Sequence, residues 1–314
     1  MTIKRVGLTG IMLVVLIALL VAGRPTTAQQ PARPNIVVLM SDDQDYASLP
    51  AMRYLLSFPE GSWVNFTNAF TNDSLCCPAR YKTASVYVPP DSPNYLEADV
   101  SDKPFYIRRL PIPSQNTINL WRAERLDAQR EILAIDDGVL AVVNALKSEG
   151  VLDNTLLIYL SDQGYSWLNH RWDYKHCIYD ECSQIPLFIR FPGQVGNREE
   201  NRLVTNVSLA STIAEWAGVT PGLPQDAPSL MPLLRGDAAG WDEVILLEKR
   251  AANPPESHFW GVRTPEWLYA EYDHGDRELY DLTADPWQLN NVAGKPGYAA
   301  VQAQMAATLA AMKP

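Results

Sequence analysis

Histidine, cysteine and clustered positive charge are all scarce in this chain of 314 residues. It has four histidines and four cysteines, and 26 basic residues against 36 acidic ones give a formal net charge of −10. No basic cluster appears anywhere along the sequence, which argues against nucleic acid as a partner. Internal repeats and low-complexity tracts are also missing, so a repeat architecture is not indicated.

Only one long apolar run is present, and it lies near the N-terminus. The residues from Ile11 to Ala22 are all apolar, and they follow the positive pair Lys4 and Arg5. This order is typical of an export signal, which we assign to residues 1–28. A run of this length is short for a membrane span, although extending it back to Val6 leaves a signal anchor as the less favoured alternative. The sequence therefore predicts a periplasmic or extracellular protein without stable membrane insertion.

The remaining composition is that of a globular protein, with 47% hydrophobic and 20% charged residues. The length suits one large domain or two modest ones, and the 24 prolines indicate many loops and turns. The stretch from Ala84 to Pro113 is rich in proline and acids, which predicts an irregular loop. Apolar residues at helical spacing from Asn119 onwards predict a helix that Gly150 ends.

Two apolar segments are each followed at once by an acidic turn. Asn35–Met40 precedes Ser41-Asp42-Asp43-Gln44-Asp45, and Thr155–Leu160 precedes Ser161-Asp162-Gln163-Gly164. Ligands of open α/β sheets lie outside the carboxyl ends of the strands, and Ca²⁺ takes carboxylate and amide oxygens as ligands. If the two strands are neighbours, the metal ligands would be Asp42, Asp43, Asp162 and Gln163. Solvated turns or helix caps would explain the same residues without a metal.

The rest of the chain predicts further strands and helices. Gln184–Phe191 reads as a third strand, and Leu209–Ala217 reads as a helix capped by Gly218. Short strands and a terminal helix then predict a small antiparallel sheet with one helix, at Val244–Leu247, Trp260–Arg263, Trp267–Tyr272, Glu278–Leu282 and Tyr298–Met312. We place the seam between a domain of residues 33–240 and one of residues 241–314 near residues 236–243.

The four cysteines form two pairs with different expectations. Cys177 and Cys182 are five residues apart, close enough for a disulfide in an exported protein. The adjacent Cys76 and Cys77 have no obvious partners, and adjacent cysteines rarely bridge each other because the ring is strained. A proline follows them and suits the first position of a helix, whose N-terminus would favour an anion near Arg80. The simpler interpretation is a buried cysteine or half of a disulfide.

Four segments together resemble the formylglycine-dependent sulfatases, the family that includes arylsulfatases and N-acetylglucosamine-6-sulfatases. Cys76–Arg80 matches the Cys-x-Pro-x-Arg signature, and Asn35–Gln44 is similar to the family's first strand and metal-binding aspartates. Ser161–Lys175 is similar to the second metal turn, and Glu278–Asn291 to the C-terminal hallmark. The resemblance implies an alkaline-phosphatase-like α/β fold, with a mixed, mostly parallel sheet flanked by helices and a small C-terminal antiparallel sheet plus helix.

The resemblance also implies a role for each matching residue. Cys76, oxidised to formylglycine by the formylglycine-generating enzyme, would be the nucleophile and a ligand of Ca²⁺. Arg80 would hold the formylglycine hydrate, and Lys175 would contact a sulfate oxygen. The other Ca²⁺ ligands would be Asp42, Asp43, Asp162 and Gln163. The implied reaction is hydrolysis of aryl or carbohydrate sulfate esters, in a small molecule or a glycan.

The chain departs from the family pattern in two respects. Ala79 stands where the family usually has serine, which bears on recognition by the modifying enzyme. The chain is also shorter than family members between Ala84 and Trp121, which indicates an internal deletion of a segment that carries a lysine and two histidines in the family. His170 is the nearest residue to a general acid, but a structural role beside the metal turn is the favoured interpretation.

Two other functions remain open beside sulfate ester hydrolysis. The first is a catalytically impaired sulfatase-fold remnant that binds a metal or a sulfated glycan, which the missing histidines favour. The second is a phosphodiester or phosphonate hydrolase of the same superfamily. Those enzymes tend to carry more metal-binding histidine than this chain offers, so this alternative ranks below the first.

Overall fold

The computed structural model describes residues 33–71, 85–250 and 258–314. A five-stranded mixed sheet forms the centre of the N-terminal part of the fold. The strand order across the sheet is β1 (Asn35–Ser41), β4 (Thr155–Ser161), β6 (Leu187–Arg190), β2 (Trp63–Phe66) and β7 (Arg198–Glu200). The β1–β4 and β2–β7 pairs are parallel, whereas β6 runs antiparallel to both of its neighbours. The expectation of a mixed α/β sheet is confirmed.

The parallel pair β1–β4 positions the acidic turns. Every residue of β4 is buried, because its unbroken apolar run packs against neighbours on both faces of the sheet. The register pairs Asn35 with Thr155 and continues without interruption to Ser41 opposite Ser161. The two strands therefore end side by side, and the residues that follow each of them emerge at the same edge of the sheet.

The expected third strand over Gln184–Phe191 is wrong as a single element, because Pro186 divides it. Proline has no N–H to donate, so a continuous ladder cannot pass through it. The first piece, β5 (Gln184–Ile185), pairs with β3 (Ala69–Phe70), which also pairs with β8 (Val204–Thr205) in a separate three-stranded sheet. The second piece is β6, antiparallel to β4.

Helices cover the five-stranded sheet, and the longest of them is α3 (Gln115–Ser148). It begins four residues before the expected start at Asn119, because the Ser114 hydroxyl accepts a hydrogen bond from the Thr117 N–H and caps the helix. The other helices are short or lie near the C-terminus: α1 (Arg53–Ser57), α2 (Phe105–Arg108), α4 (Asp180–Ser183), α5 (Ser208–Ala217), α6 (Met231–Leu234) and α7 (Ala299–Met312). Of the described helices, none combines the length and the apolar character needed to cross a lipid bilayer.

Asp136 of α3 fastens α1 to the core. Its buried carboxylate accepts the N–H groups of Tyr54 at 2.7 Å and Leu55 at 2.9 Å, both in the first turn of α1. We expect Asp136→Ala to lower the free energy of unfolding by about 2 kcal/mol, because two buried donors lose their acceptor. Chemical denaturation measures the change, and Asp137→Ala, at the exposed neighbouring position, is expected to leave stability within about 0.5 kcal/mol. Equal effects of the two substitutions would contradict this role.

One edge of the described sheet exposes apolar side chains. β1 is the outermost strand of the described sheet, with Val38 47% and Met40 66% exposed. Unprotected apolar edges promote association between chains. We expect Val38→Lys to reduce concentration-dependent self-association, because a charge opposes strand pairing. Static light scattering against concentration measures it, with Val219→Lys, at a 59% exposed position outside any strand, as the control. Identical scattering of both variants would contradict the prediction.

The C-terminal part is the expected antiparallel sheet with one helix. Its strands β9 (Ile245–Lys249), β10 (Phe259–Arg263), β11 (Trp267–Tyr272) and β12 (Arg277–Asp281) lie in the order β12-β11-β10-β9, all antiparallel. One face packs against α7 through Met305 and Leu309. The other face packs against the loop that contains Tyr179. The sheet thus supports the segment that follows the second acidic turn.

Candidate metal centre and active site

Three carboxylates meet at the ends of β1 and β4. Asp42, Asp43 and Asp162 each offer one oxygen, and these oxygens all lie within 4.8 Å of one another. The parallel in-register pairing of the two strands explains this, since both turns leave the sheet at the same point. Asp43 has a positive φ of 57°, a conformation that aspartate tolerates better than most residues. These three carboxylates therefore lie together at the edge of the sheet where the sequence predicted them.

Hydrogen bonds join the two acidic turns to each other. The Asp43 N–H donates to Asp162 Oδ1 at 3.1 Å, and the Gln163 amide nitrogen donates to Asp43 Oδ1. Below them, the Ser161 hydroxyl accepts from the Gln44 N–H at 3.1 Å and donates to the Gln163 carbonyl at 2.7 Å. The carboxylates are therefore held in position by hydrogen bonds within and between the two turns.

The ionised forms of these carboxylates are disfavoured by burial and by mutual repulsion. Burial, reinforced by the charges of Asp43 and Asp162, raises the pKa of Asp42 to about 6. Burial also raises the pKa of Asp162, against the hydrogen bond that it receives from the Asp43 N–H. Like charges held this close disfavour ionisation, and a cation between them would remove the penalty. The cluster therefore favours a positively charged ligand.

The donor set fits a hard divalent cation. Asp42 Oδ1 and Gln163 Oε1 are both buried and have no hydrogen-bond partner. An unpartnered buried oxygen is costly, so one in the carboxylate cluster and one next to it favour the binding of a positively charged ligand. Carboxylate and amide oxygens are the ligands of Ca²⁺ and Mg²⁺ rather than of softer metals. The four residues proposed from the sequence, Asp42, Asp43, Asp162 and Gln163, are therefore brought together in a form that suits Ca²⁺.

Lys175 adds a positive charge at the rim of the cluster. Its side chain is almost fully buried, and its Nζ lies 2.9 Å from Asp43 Oδ1. The backbone carbonyl of Lys175 accepts a hydrogen bond from the Trp172 indole at 3.0 Å, which holds this turn in place. The ammonium group is thus adjacent to the oxygens that would hold a cation.

Cys76 and Arg80 lie outside the described residues, as do residues 72–84 as a whole. Their placement relative to the carboxylates remains a prediction from the sequence signature. The other cysteine pair is described: Cys177 and Cys182 form a disulfide with their Cα atoms 5.5 Å apart. The Cys182 carbonyl accepts the Gly164 N–H at 2.9 Å, which ties the disulfide loop to the second acidic turn.

Gly164 is required by close packing. A Cβ at this position would overlap with the carbonyl oxygen of Glu181, which belongs to the backbone and cannot rotate away. Only glycine lets the turn after Gln163 pass against the disulfide loop. The backbone contact fixes the direction in which the chain leaves the metal turn.

His170 has a structural role. Its ring is fully buried, with Nδ1 2.6 Å from Glu97 Oε2 and Nε2 3.0 Å from the Asn94 amide nitrogen. It also stacks on Tyr179, with ring centroids 3.9 Å apart. Since both ring nitrogens already have partners, the ring is not placed to protonate a leaving alcohol. The structural interpretation favoured from the sequence therefore agrees with the contacts of this histidine.

The C-terminal hallmark supports the fold rather than the chemistry. Glu278 is fully buried, and its carboxylate accepts hydrogen bonds from the hydroxyls of Tyr179 at 2.7 Å and of Tyr272 and Tyr280 at 2.5 Å. Burial raises the pKa of Glu278 against these three donors. Through Tyr179 the hallmark strand is connected to the loop that begins at Lys175.

The role of Gln44 was not predicted from the sequence. Its side-chain oxygen accepts from the Ser41 hydroxyl at 2.8 Å and from the Tyr159 hydroxyl. Its amide nitrogen donates to the Met52 sulfur. Gln44 therefore braces the first acidic turn from below. Tyr159, in the middle of an otherwise apolar strand, could have indicated this contact, because a buried tyrosine hydroxyl needs a hydrogen-bond partner.

Two family models match adjoining parts of the chain. The sulfatase model matches residues 114–219, and the C-terminal model of N-sulphoglucosamine sulphohydrolase matches residues 168–314. The matches include the second acidic turn, Lys175 and the C-terminal sheet.

Curated relatives are sulfatases of greater length. An N-acetylglucosamine-6-O-sulfatase of Bacteroides thetaiotaomicron is 32% identical over 196 residues, which cover 59% of this chain and 35% of the relative. An arylsulfatase of Volvox carteri is 33% identical over 254 residues, which cover 70% of this chain and 39% of the relative. The chain thus corresponds to little more than a third of the length of these two relatives.

Solved structures show the same fold. A protein in complex with its substrate D-glucosamine-2-N,6-O-disulfate aligns with a TM-score of 0.58 at 29% identity, covering 66% of this chain and 44% of the other. The phosphonate monoester hydrolase of Agrobacterium radiobacter aligns with a TM-score of 0.54 at 27% identity, covering 59% and 40%. Together with the two family models, these similarities show that the chain belongs to the sulfatase family.

Proposed function

We propose that this chain is a Ca²⁺-dependent sulfatase that hydrolyses aryl or carbohydrate sulfate esters through a formylglycine at Cys76. The observation that carries the proposal is the cluster of Asp42, Asp43 and Asp162, with the unpartnered buried oxygens of Asp42 and Gln163 beside it. A site made only of oxygen atoms suits a hard cation such as Ca²⁺. A sulfate group bound there could contact both the cation and the ammonium group of Lys175.

Each residue has a separate task in this proposal. Asp42, Asp43, Asp162 and Gln163 would hold Ca²⁺, with the modified Cys76 as a further ligand. Bound calcium would polarise the sulfate ester. Lys175 would donate to a sulfate oxygen, because its Nζ already lies at the edge of the carboxylate cluster. Arg80 would orient the hydrated aldehyde through its fork of N–H donors.

The formylglycine hydrate provides a way to release sulfate from the enzyme that a thiol does not provide. A hydrated aldehyde carries two hydroxyl groups on one carbon. One can attack sulfur while the alcohol leaves, and the other can return to a carbonyl as sulfate departs. An unmodified serine or cysteine has no second hydroxyl group on that carbon. Release of its sulfated form would require water to attack sulfur in a second step.

The proposal includes the compartment and the maturation of the chain. The positively charged and apolar segment within residues 1–28 supports export. Maturation would require a formylglycine-generating enzyme that accepts Cys-Cys-Pro-Ala-Arg, with alanine at position 79. Disulfide formation between Cys177 and Cys182 is consistent with an oxidising compartment.

Two measurements on the full chain test the proposal. Mass spectrometry of the peptide that contains Cys76 is expected to show the mass loss of thiol-to-aldehyde conversion when the modifying enzyme is co-expressed. The purified protein is then expected to release nitrophenol from 4-nitrophenyl sulfate, with loss of turnover on chelation of calcium. A fully modified, folded and calcium-bound chain without turnover would refute the activity and favour the impaired remnant.

Phosphonate ester hydrolysis is the second candidate, because a phosphonate monoester hydrolase shares this fold at 27% identity. The two functions differ in the atom that is attacked, sulfur in a sulfate ester and phosphorus in a phosphonate ester, because both monoesters carry a single negative charge. Parallel assays with a nitrophenyl sulfate and a nitrophenyl phenylphosphonate separate them. Faster turnover of the phosphonate would replace the sulfatase assignment.

A further inference from the structure

A cavity lies beside the candidate metal centre. It has a volume of about 450 Å³ and is lined by Tyr165 and Trp167 from the segment after the second acidic turn and by Trp287 from the C-terminal hallmark. The Tyr165 and Trp167 ring centroids are 4.6 Å apart, so the two rings form one wall. A volume of this size is in the range of small-molecule sites.

Three polar groups that line this cavity have an atom without a hydrogen-bond partner. They are Asp45 Oδ1, Glu181 Oε2 and Arg125 Nε, and all three atoms are buried. Asp45 is 5% exposed, so its unpartnered oxygen is removed from water. Buried polar atoms of native proteins nearly always have partners. Two acceptors and one donor around one cavity therefore indicate a ligand that can both donate and accept hydrogen bonds.

The remaining atoms of these groups are fixed by the protein. Asp45 Oδ2 accepts from the Trp167 indole at 2.9 Å, and Glu181 Oε1 accepts from Asn94 at 2.7 Å. Arg125 Nη1 lies 3.6 Å from Asp91. The side chains cannot turn away to satisfy their unpartnered atoms without breaking these contacts. The cavity is thus a preorganised arrangement rather than a set of mobile surface groups.

The charges around the cavity discriminate between ligand classes. Asp45 and Glu181 both present carboxylate oxygens, whereas the single guanidinium of Arg125 is shared with Asp91. The neighbouring Asp180 is paired with Arg263 at 2.5 Å. An excess of negative charge disfavours a sulfated or carboxylated ligand. Apolar C–H faces would pack on the aromatic wall, and hydroxyl groups would pair with the carboxylates and the arginine.

We propose that this cavity binds an uncharged sugar ring. The aromatic side chains would pack against the ring face, while ring hydroxyls would donate to Asp45 Oδ1 and Glu181 Oε2 and accept from Arg125 Nε. This sugar would be the unsulfated neighbour of the sugar that carries the ester to be cleaved. That role rests on the proposed function, whereas binding of the sugar does not.

The position of the cavity supports that role. Asp45 follows Asp43 by two residues, and Tyr165 follows Gln163 by two residues. Two residues of extended chain reach at most about 7 Å, so the cavity wall adjoins the metal centre. Neighbouring sugars of one oligosaccharide could therefore occupy the two sites.

Binding of free sugars to the full chain tests the inference without requiring turnover. Titration of tryptophan fluorescence and saturation-transfer NMR are expected to show saturable binding of N-acetylglucosamine, and at least tenfold weaker binding of glucuronate. Trp287→Ala is expected to weaken N-acetylglucosamine binding by about tenfold. Glu181→Gln, which keeps the size of the side chain, is expected to weaken it as well. Phe105→Ala serves as the matched control, because Phe105 and Trp287 are both 43% exposed and Phe105 does not line the cavity.

The outcomes separate this inference from the proposed function. Sugar binding by a fully modified, calcium-bound chain that does not hydrolyse the aryl sulfate would refute the sulfatase activity and leave the cavity assignment intact. Aryl sulfate hydrolysis without saturable sugar binding would overturn the cavity assignment alone. Binding of glucosamine but not of N-acetylglucosamine would also overturn it, since the cavity would then recognise an ammonium group. Equal binding by the Trp287→Ala and Phe105→Ala variants would locate the sugar elsewhere.

Discussion

Cys76→Ala is expected to lower kcat for sulfate ester hydrolysis by about 10⁴-fold or more, the scale seen when a covalent nucleophile is removed. Cys77→Ala is expected to retain activity, because Cys76 occupies the first position of the Cys-x-Pro-x-Arg signature and Cys77 the variable one. Turnover of 4-nitrophenyl sulfate by the two purified variants, each prepared with the modifying enzyme, measures the difference.

The adjacent cysteine is a close control for this prediction. Each substitution removes one thiol, and the two positions are adjacent in the sequence, so a general loss of folding would affect the two variants alike. Thermal unfolding of both proteins with calcium present checks that the fold is retained. Activity in Cys76→Ala together with inactivity in Cys77→Ala would contradict the proposal, because the nucleophile would then be Cys77.

Asp162→Asn is expected to abolish the stabilisation that calcium gives to the fold, together with hydrolysis. A ligand at 100 times its Kd stabilises the native state by about 2.7 kcal/mol, which thermal unfolding resolves as a clear shift of Tm. The variant keeps an oxygen that can accept the Asp43 N–H, so the turn itself is expected to persist. Without calcium, the variant is expected to be at least as stable as the parent chain, because one of three neighbouring negative charges is gone.

Asp237→Asn is the matched control for the metal prediction. Asp237 is exposed, and its carboxylate also accepts a backbone N–H, from Ala239 at 3.0 Å. Its substitution is expected to leave the calcium-dependent shift of Tm unchanged. A calcium shift of normal size in Asp162→Asn would show that the ion binds elsewhere and would remove the basis of the proposed metal centre.

Local sequence was sufficient for the elements whose patterns are simple. The apolar run before Ser161 predicted a buried strand because every side chain of β4 is enclosed by neighbours. The C-terminal sheet followed from alternating residues between turns, and its boundaries differ by only one or two residues from those expected. The helix α5 ends at Gly218, which has the left-handed conformation expected of a glycine cap.

Strand pairing was not readable from local sequence. Pro186 was part of the expected third strand, and only the tertiary structure assigns the residues on its two sides to different sheets. The direction of β6 depends on how the chain returns after the disulfide loop, which is a long-range feature. Hydrogen bonding between distant strands determines such pairings, so propensity and periodicity could not supply them.

The sequence by itself determined which residues could form the metal centre, because acids that directly follow buried strands emerge at a sheet edge. Whether Asp42, Asp43 and Asp162 meet was decided by the tertiary structure, through the parallel register that sets Ser41 opposite Ser161. The cavity lined by Asp45, Glu181 and Trp287 was likewise invisible in the sequence, since its walls come from three segments far apart along the chain. Spacing identifies chemical groups, and packing between distant segments determines which of them share a site.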